Sequence, residues 1–280
     1  MFHVGPPTSD VKVHALASGS SGNAMLVQSG DTSILIDAGV GVRNLSAMIA
    51  KRGVVNGKLD AVLLTHEHTD HSIGAGPIAR RTQAPIVGNR ATLAAYASRD
   101  ELGFASVELA TGGEIAIGSF SIRSFPISHD AAEPVGFILQ SGRTRIAYCT
   151  DTGIRTPAMD EALRGASLAI VEANHDLDWL LRGPYTREMK ERVASATGHL
   201  SNNDCADMIA NRLEDGGPFC VWLAHLSRVN NSVSLARRSV KERILKQTSV
   251  PFHIEIALRD QPSVSWQAGA RSVQLSLLSV

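Results

Sequence analysis

Cysteine is scarce in this chain of 280 residues: Cys149, Cys205 and Cys220 are the only three, and none share a paired spacing. That argues against a disulfide framework or a zinc knuckle and suits free, buried thiols in a reducing compartment. Net charge is missing too. Lys plus Arg and Asp plus Glu both number 27, and the sequence pI is about 7.2, so no whole-molecule field draws in a polyanion. Any polyanionic ligand would have to be held by a local patch or by metal. No apolar run is long enough to span a bilayer. Met1 to Asp10 holds no basic region followed by an apolar stretch, so the expectation is no signal peptide, no membrane association and a cytoplasmic location. Linkers, short repeats and low-complexity segments are also absent, which points to one domain over residues 1–280.

What the chain does have is metal-binding chemistry at the ends of strands. The apolar run Ala61-Val62-Leu63-Leu64 reads as a buried strand, and Thr65-His66-Glu67-His68-Thr69-Asp70-His71 leaves its end as a loop. Neutral imidazoles with a carboxylate suit zinc, manganese or iron. One ion cannot take four side chains from so short a loop. Two adjacent ions can, with His66 and His68 facing one and Asp70 and His71 the other. A helix is expected to run from near Ser72 to Thr82.

The same pattern recurs along the chain. Val11 to Ala17 reads as a first strand and enters Ser18-Gly19-Ser20-Ser21-Gly22-Asn23. This loop reads either as an ordinary hairpin connection or as a small-residue cradle for an anion. Asp37 ends the strand Ser33 to Ile36; it either orients a metal-bound imidazole from behind or caps the next helix. His129 follows the strand Ser119 to Phe125 and supplies the third ligand that the His66–His68 site lacks. Asp151 ends the strand Arg145 to Cys149 and could share its two oxygens between ions. His175 closes Leu168 to Val171 and reads as a residue facing substrate or supporting a ligand. Tyr185 to Ala196 has an amphipathic, basic helical pattern. Ser201 and Asp204 form a capping-box pattern opening a helix to Leu213, with His199 just before it as either an incidental residue or a phosphate neighbour. His225 ends Phe219 to Ala224, and Asn230 follows, ahead of a basic helix from Ser232 to Lys246. Ala268 to Val280 reads as a tail or an edge strand. Strands and helices alternate throughout, so the fold class is α/β (α+β), with chemistry gathered along one edge.

His66-x-His68-x-Asp70-His71, with His129, Asp151 and His225, resembles the metal site of the metallo-β-lactamase superfamily. Ala17 to Asn23, Glu172-x-Asn174-His175-Asp176, Gly198 to Asn202, and Leu223 to Ser227 with Asn230-Asn231 resemble its WalJ/YycJ branch more closely. The resemblance implies a four-layer αββα sandwich of two mixed sheets. It assigns His66, His68 and His129 to one divalent ion, Asp70, His71 and His225 to a second, and Asp151 to both. It names zinc first, with manganese or iron as alternatives.

It further implies phosphodiester hydrolysis through a metal-activated water, as a DNA 5′-to-3′ exonuclease. Asp70 and His199 would be catalytic. Asp37, Ser18, Asn23, His175, Ser201 and Asn230 would support ligands or contact substrate, with nucleic acid, DNA in preference, as partner. Arg182, Arg187, Lys190, Arg192 and the Arg237 to Arg243 face are candidates for backbone contacts. Ribonuclease Z-like and phosphonate-pathway relatives share the ligands, so hydrolysis of a cyclic phosphodiester, lactone or lactam stands as the alternative. A redox di-iron centre is disfavoured by His68, where that type carries Glu. A non-enzymatic adaptor is disfavoured by the intact ligand set.

Overall fold

A strand that is apolar on both faces needs cover on both sides. Thr32–Ile36, Leu168–Glu172 and Cys220–Ala224 are buried at every position. Such strands cannot form the outside of a single open sheet. In the computed structural model, which describes residues 10–54, 57–100, 103–216 and 219–269, they lie in two sheets packed face to face.

The first sheet holds β1 (Val11–Ala17), β2 (Ala24–Ser29), β3 (Thr32–Ile36), β4 (Ala61–Leu63), β5 (Ile86–Gly88) and β6 (Ser106–Glu108). The second holds β7 (Glu114–Ile117), β8 (Phe120–Pro126), β9 (Val135–Ser141), β10 (Thr144–Cys149), β11 (Leu168–Glu172), β12 (Cys220–Ala224) and β13 (His253–Ile256). The chain then returns, and β14 (Ser265–Gln267) pairs antiparallel with β1. The orders are β14-β1-β2-β3-β4-β5-β6 and β13-β12-β11-β10-β9-β8-β7. Each sheet is antiparallel in one half and parallel in the other. The change falls at β3 in one and at β10 in the other. Both sheets are therefore mixed, as expected.

Three apolar clusters define four layers. Between the sheets lie Val13, Ile34, Phe137, Tyr148, Ile170 and Trp222. On the outer face of the first sheet, Leu35 and Val62 meet Leu45 and Ile49 of the helix Val42–Ala50 and Ile78 of Ala75–Thr82. On the outer face of the second, Val171 and Leu223 meet Met159 of Pro157–Leu163, Ile209 of Asn202–Glu214 and Val240 of Val233–Leu245. The result is the αββα sandwich.

Four details differ from the sequence reading. The helix expected from Ser72 to Thr82 is broken into Thr69–Ser72 and Ala75–Thr82 at Gly74. There the Gly74 amide donates to Ala38 O at 2.7 Å, and a Cβ would sit 2.3 Å from Val40 O. The amphipathic pattern over Tyr185 to Ala196 becomes a short helix, Arg187–Val193, with no fully buried residue, so its apolar stripe is only partly covered. Two helices went unread, Pro157–Leu163 and Leu177–Arg182, capped by Thr156 and Asp176. The edge strand is β14, upstream of the expected tail; residues 270–280 lie outside the described residues.

Candidate metal centre

The parallel halves of both sheets end on the same side, so the loops after β3, β4, β10, β11 and β12 converge. Among the described residues, four non-glycine positions have positive φ, and three stand at such strand ends: Asp37 (φ 58), Asp151 (φ 57) and His225 (φ 53). Left-handed backbone there turns each side chain off its strand abruptly; such strain gathers at functional sites. The loop after β4 is stitched down by its own backbone. Asn23 N donates to Asp70 O at 2.8 Å and Ala38 N to His71 O at 2.7 Å. Only glycine fits at position 39, where a Cβ would lie 1.6 Å from Asp70 O.

Three groups of donor atoms result, each with all members within 4.8 Å of one another: His66, His68 and His129; Asp70, His71, Asp151 and His225; and Asp151, Glu172, His199 and His225. The seven ligand candidates read from the sequence are thus brought together. Asp151 stands between the groups. Its Oδ2 lies 2.5 Å from His71 Nε2 and 3.5 Å from His66 Nε2, and its Oδ1 lies 2.7 Å from His225 Nδ1.

Each imidazole is anchored through one ring nitrogen. His66 Nδ1 meets Thr65 Oγ1 at 3.0 Å; that hydroxyl also lies 3.0 Å from both Asp37 oxygens. His71 Nδ1 meets Asp37 Oδ2 at 2.8 Å. His129 Nδ1 donates to Gly198 O at 3.0 Å, His68 Nε2 to Asp130 O at 3.2 Å, and His225 Nδ1 to Glu172 Oε1 at 2.9 Å. Anchors of this kind fix the tautomer and aim the other nitrogen. The inward Nε2 atoms of His66 and His225 are buried with no hydrogen-bond partner. Orphaned imidazole nitrogens beside carboxylates, His66 Nε2 3.5 Å from Asp151 and His225 Nε2 3.7 Å from Asp70, fit divalent cations, and the donor chemistry suits them.

The electrostatics agree. Burial works against the charged forms throughout, yet the Asp151 and Asp37 carboxylates hold His71 up at about 10, and Asp151 also raises His225 well above its ordinary value. Burial opposes ionisation of Asp151, but His225 and His71 carry it well below the usual carboxylate range. By contrast, burial and the positive neighbour His71 push His66 well down. The centre is a buried concentration of negative charge suited to cations.

The supporting candidates separate cleanly. Asp37 accepts from Thr65 N, Thr65 Oγ1, His71 Nδ1 and, at 3.3 Å, Tyr148 OH, so it braces the ligand loop. The helix after it is capped at Gly41, which removes the capping alternative. Ser18 Oγ accepts from His225 N at 2.9 Å, and the Asn23 amide bonds Gly19 and lies 2.9 Å from His71 Nε2. Both are fully buried, so the small-residue loop ties the centre together. Ser201 caps Asn202–Glu214 through Asp204 N. His175 and Asn230 are buried; His175 Nδ1 and both polar atoms of the Asn230 side chain lack a partner. His199 lies at the rim with its side chain 23% exposed.

One residue was missed. Glu172 is fully buried, and its Oε1 takes both His225 Nδ1 and His199 Nδ1, at 2.9 and 2.8 Å. Burial is outweighed by His199, and the carboxyl drops to about 2. Its position at the end of β11 was the available signal, since Asp37, Asp151 and His225 also stand at strand ends. The basic residues are mostly engaged elsewhere: Arg187 with Glu191, Arg192 with Asp130, Lys190 with Leu181 O, Arg237 with Glu255 and Arg243 with Asp207.

Known proteins share this architecture. Residues 32–215 match the family described as Beta-lactamase superfamily domain. Exodeoxyribonuclease YycJ of Bacillus anthracis is 34% identical over 81% of this chain and 86% of its own. Exodeoxyribonuclease WalJ of Streptococcus pneumoniae is 32% identical over 83% and 88%. The metallo-β-lactamase fold protein YhfI of Bacillus subtilis superposes with a TM-score of 0.70 at 20% identity, over 92% of this chain and 100% of that one. No helix among the described residues is long and apolar enough to cross a membrane. The chain therefore belongs to the β-lactamase superfamily, in the family of YycJ and WalJ, and is a metal-dependent hydrolase.

Proposed function

We propose that the chain hydrolyses phosphodiesters in DNA as a 5′-to-3′ exonuclease, using two divalent ions, zinc foremost, with manganese or iron as alternatives. The observation that carries the reading is Asp151, one buried carboxylate facing His66, His71 and His225 at once. His66, His68 and His129 would hold one ion, Asp70, His71 and His225 the other, and Asp151 both. When bound, the ions supply Lewis acidity toward the phosphate and an activated water at neutral pH.

The chain's own residues supply the rest. Asp37, Gly198 O and Glu172 keep the His71, His129 and His225 rings aimed inward. Asp70, with a side chain 26% exposed, accepts a proton from the attacking water. His199 is the proton donor to the departing oxygen. Burial lowers its basicity, but Glu172 at 2.8 Å outweighs this and raises it. The names of YycJ and WalJ support DNA as the polymer. Three free, buried thiols support a reducing, cytoplasmic setting.

Digestion of end-labelled single- and double-stranded DNA, with and without a 5′-phosphate, in zinc or manganese tests this. Stepwise release of nucleotides from the 5′ end is expected. Inert DNA beside turnover of nitrocefin or a thioester would overturn the reading. A second reading, hydrolysis of a small phosphodiester, is favoured by one observation: the candidate backbone-contact cations Arg187 and Arg192 are held by carboxylates of this chain.

A further inference from the structure

An open pocket of about 440 Å³ lies against the ligand loop, a volume suited to one small ligand. Its near wall is built from the loop itself. Thr69 stands between His68 and Asp70, and Ile73 follows His71 by two residues. The Ser72 hydroxyl is committed to the carbonyls of Glu67 and His68, at 2.8 and 2.9 Å, so this wall is held in register with the metal-binding side chains.

The pocket combines apolar residues, Ile73, Pro77 and Tyr96, with the cations Arg80 and Arg99 and the carboxylate Asp100. Ile73 is 56% exposed, a large hydrophobic side chain held open beside a reaction centre. Pro77 and the largely buried ring of Tyr96 continue that surface. The far side is fixed by hydrogen bonds: Tyr96 OH accepts from Gly76 N at 2.7 Å, and Arg80 Nη1 donates to both Asp100 oxygens and to Gly103 O. Arg99 is exposed and spends one N–H on Glu67 O at 3.1 Å. A guanidinium has five such donors in one plane, which stacks on aromatic rings and forks phosphate.

An exposed apolar side chain and an exposed guanidinium beside the metal-binding loop suit a ligand that is flat, aromatic and phosphorylated. We propose that this pocket takes the base of the terminal nucleotide, laid against Ile73 and Pro77 with Arg99 at its edge, while the attached phosphate extends toward the metal-binding groups of the same loop. The inference rests on the phosphodiesterase reading and adds a subsite to it. Contact with a π-face or an apolar edge is tolerant of base identity, so the pocket requires a base without selecting one.

Calorimetric titration of the metal-loaded protein with deoxyadenosine 5′-monophosphate and with 2-deoxyribose 5-phosphate tests this. The nucleotide is expected to bind about tenfold more tightly than the base-free sugar phosphate. In Ile73→Ser that gap closes, with metal content and thermal midpoint unchanged because the side chain is largely exposed. Arg99→Ala narrows it by a separate contact. Equal affinity of the two ligands for the wild-type protein, or an undiminished gap in both variants, overturns the proposal. The end-labelled DNA digest is read separately. DNA cleavage without a base-dependent gap removes the subsite alone, and a gap without cleavage removes the exonuclease reading alone.

Discussion

Oε1 of Glu172 lies 2.8 Å from Nδ1 of His199, with the carboxyl fully buried and the imidazole at the rim. A buried carboxylate behind a half-open imidazole holds its proton and its orientation together. Glu172→Gln and His199→Gln are each expected to lower kcat by about 10²–10⁴-fold. The double variant is expected to fall short of the product of the two effects, because residues acting as a unit are not additive. His199→Gln keeps both ions; Glu172→Gln loosens one, since the same oxygen also anchors His225. Steady-state kinetics with metal analysis checks this, and fully multiplicative effects would contradict it.

Asp37 touches no substrate, yet its loss is expected to be felt at the metals. Asp37→Ala strips partners from buried Thr65 and His71. Each unpaired buried group costs about 1–3 kcal/mol, and loss of a brace behind a metal-bound imidazole costs about 10–100-fold in metal affinity. Urea unfolding and competitive chelator titration measure the two. Unchanged metal affinity would show that Asp37 is only a folding residue.

The three thiols are expected to be silent. Burial pushes Cys149 and Cys220 up to about 12 and Cys205 well above its ordinary value. The reactive species is the thiolate. At pH 8 the native protein should give no colour with a disulfide reagent over minutes, and three equivalents after denaturation. Prompt reaction of the native protein would contradict this placement.

Away from the site, His14 gives the fold a dependence on acid. Burial, then Arg52 and Lys12, lower its pKa from 6.5 to about 4. The unfolded chain therefore takes up that proton first. Stability is undiminished above pH 6.5 and falls as the pH drops from there toward 4. His14→Gln should flatten that part of the urea-midpoint profile relative to the wild-type protein. Parallel profiles would contradict the shift.

The ligands were legible because the chain writes them as polar residues directly after apolar runs, and the sheet topology then carries those ends to one edge. Glu172 was not, because its partners His199 and His225 are distant in sequence and the hydrogen bonds that reveal its role exist only once β11 and β12 lie side by side. The break at Gly74 was hidden for the same reason: it answers the carbonyls of Ala38 and Val40, which no local pattern announces. The helix Arg187–Val193 misled in the other direction, since an amphipathic repeat states what a helix can bury, not what it meets.

The most direct measurement is anomalous diffraction from crystals soaked in zinc or manganese, on the wild-type protein and on Asp151→Ala. Two strong peaks are expected in the wild-type protein, one against His66, His68 and His129 and one against Asp70, His71 and His225, with Asp151 between, and both should weaken in the variant. A single peak, or a pair that Asp151→Ala leaves intact, would contradict a centre organised on that shared carboxylate.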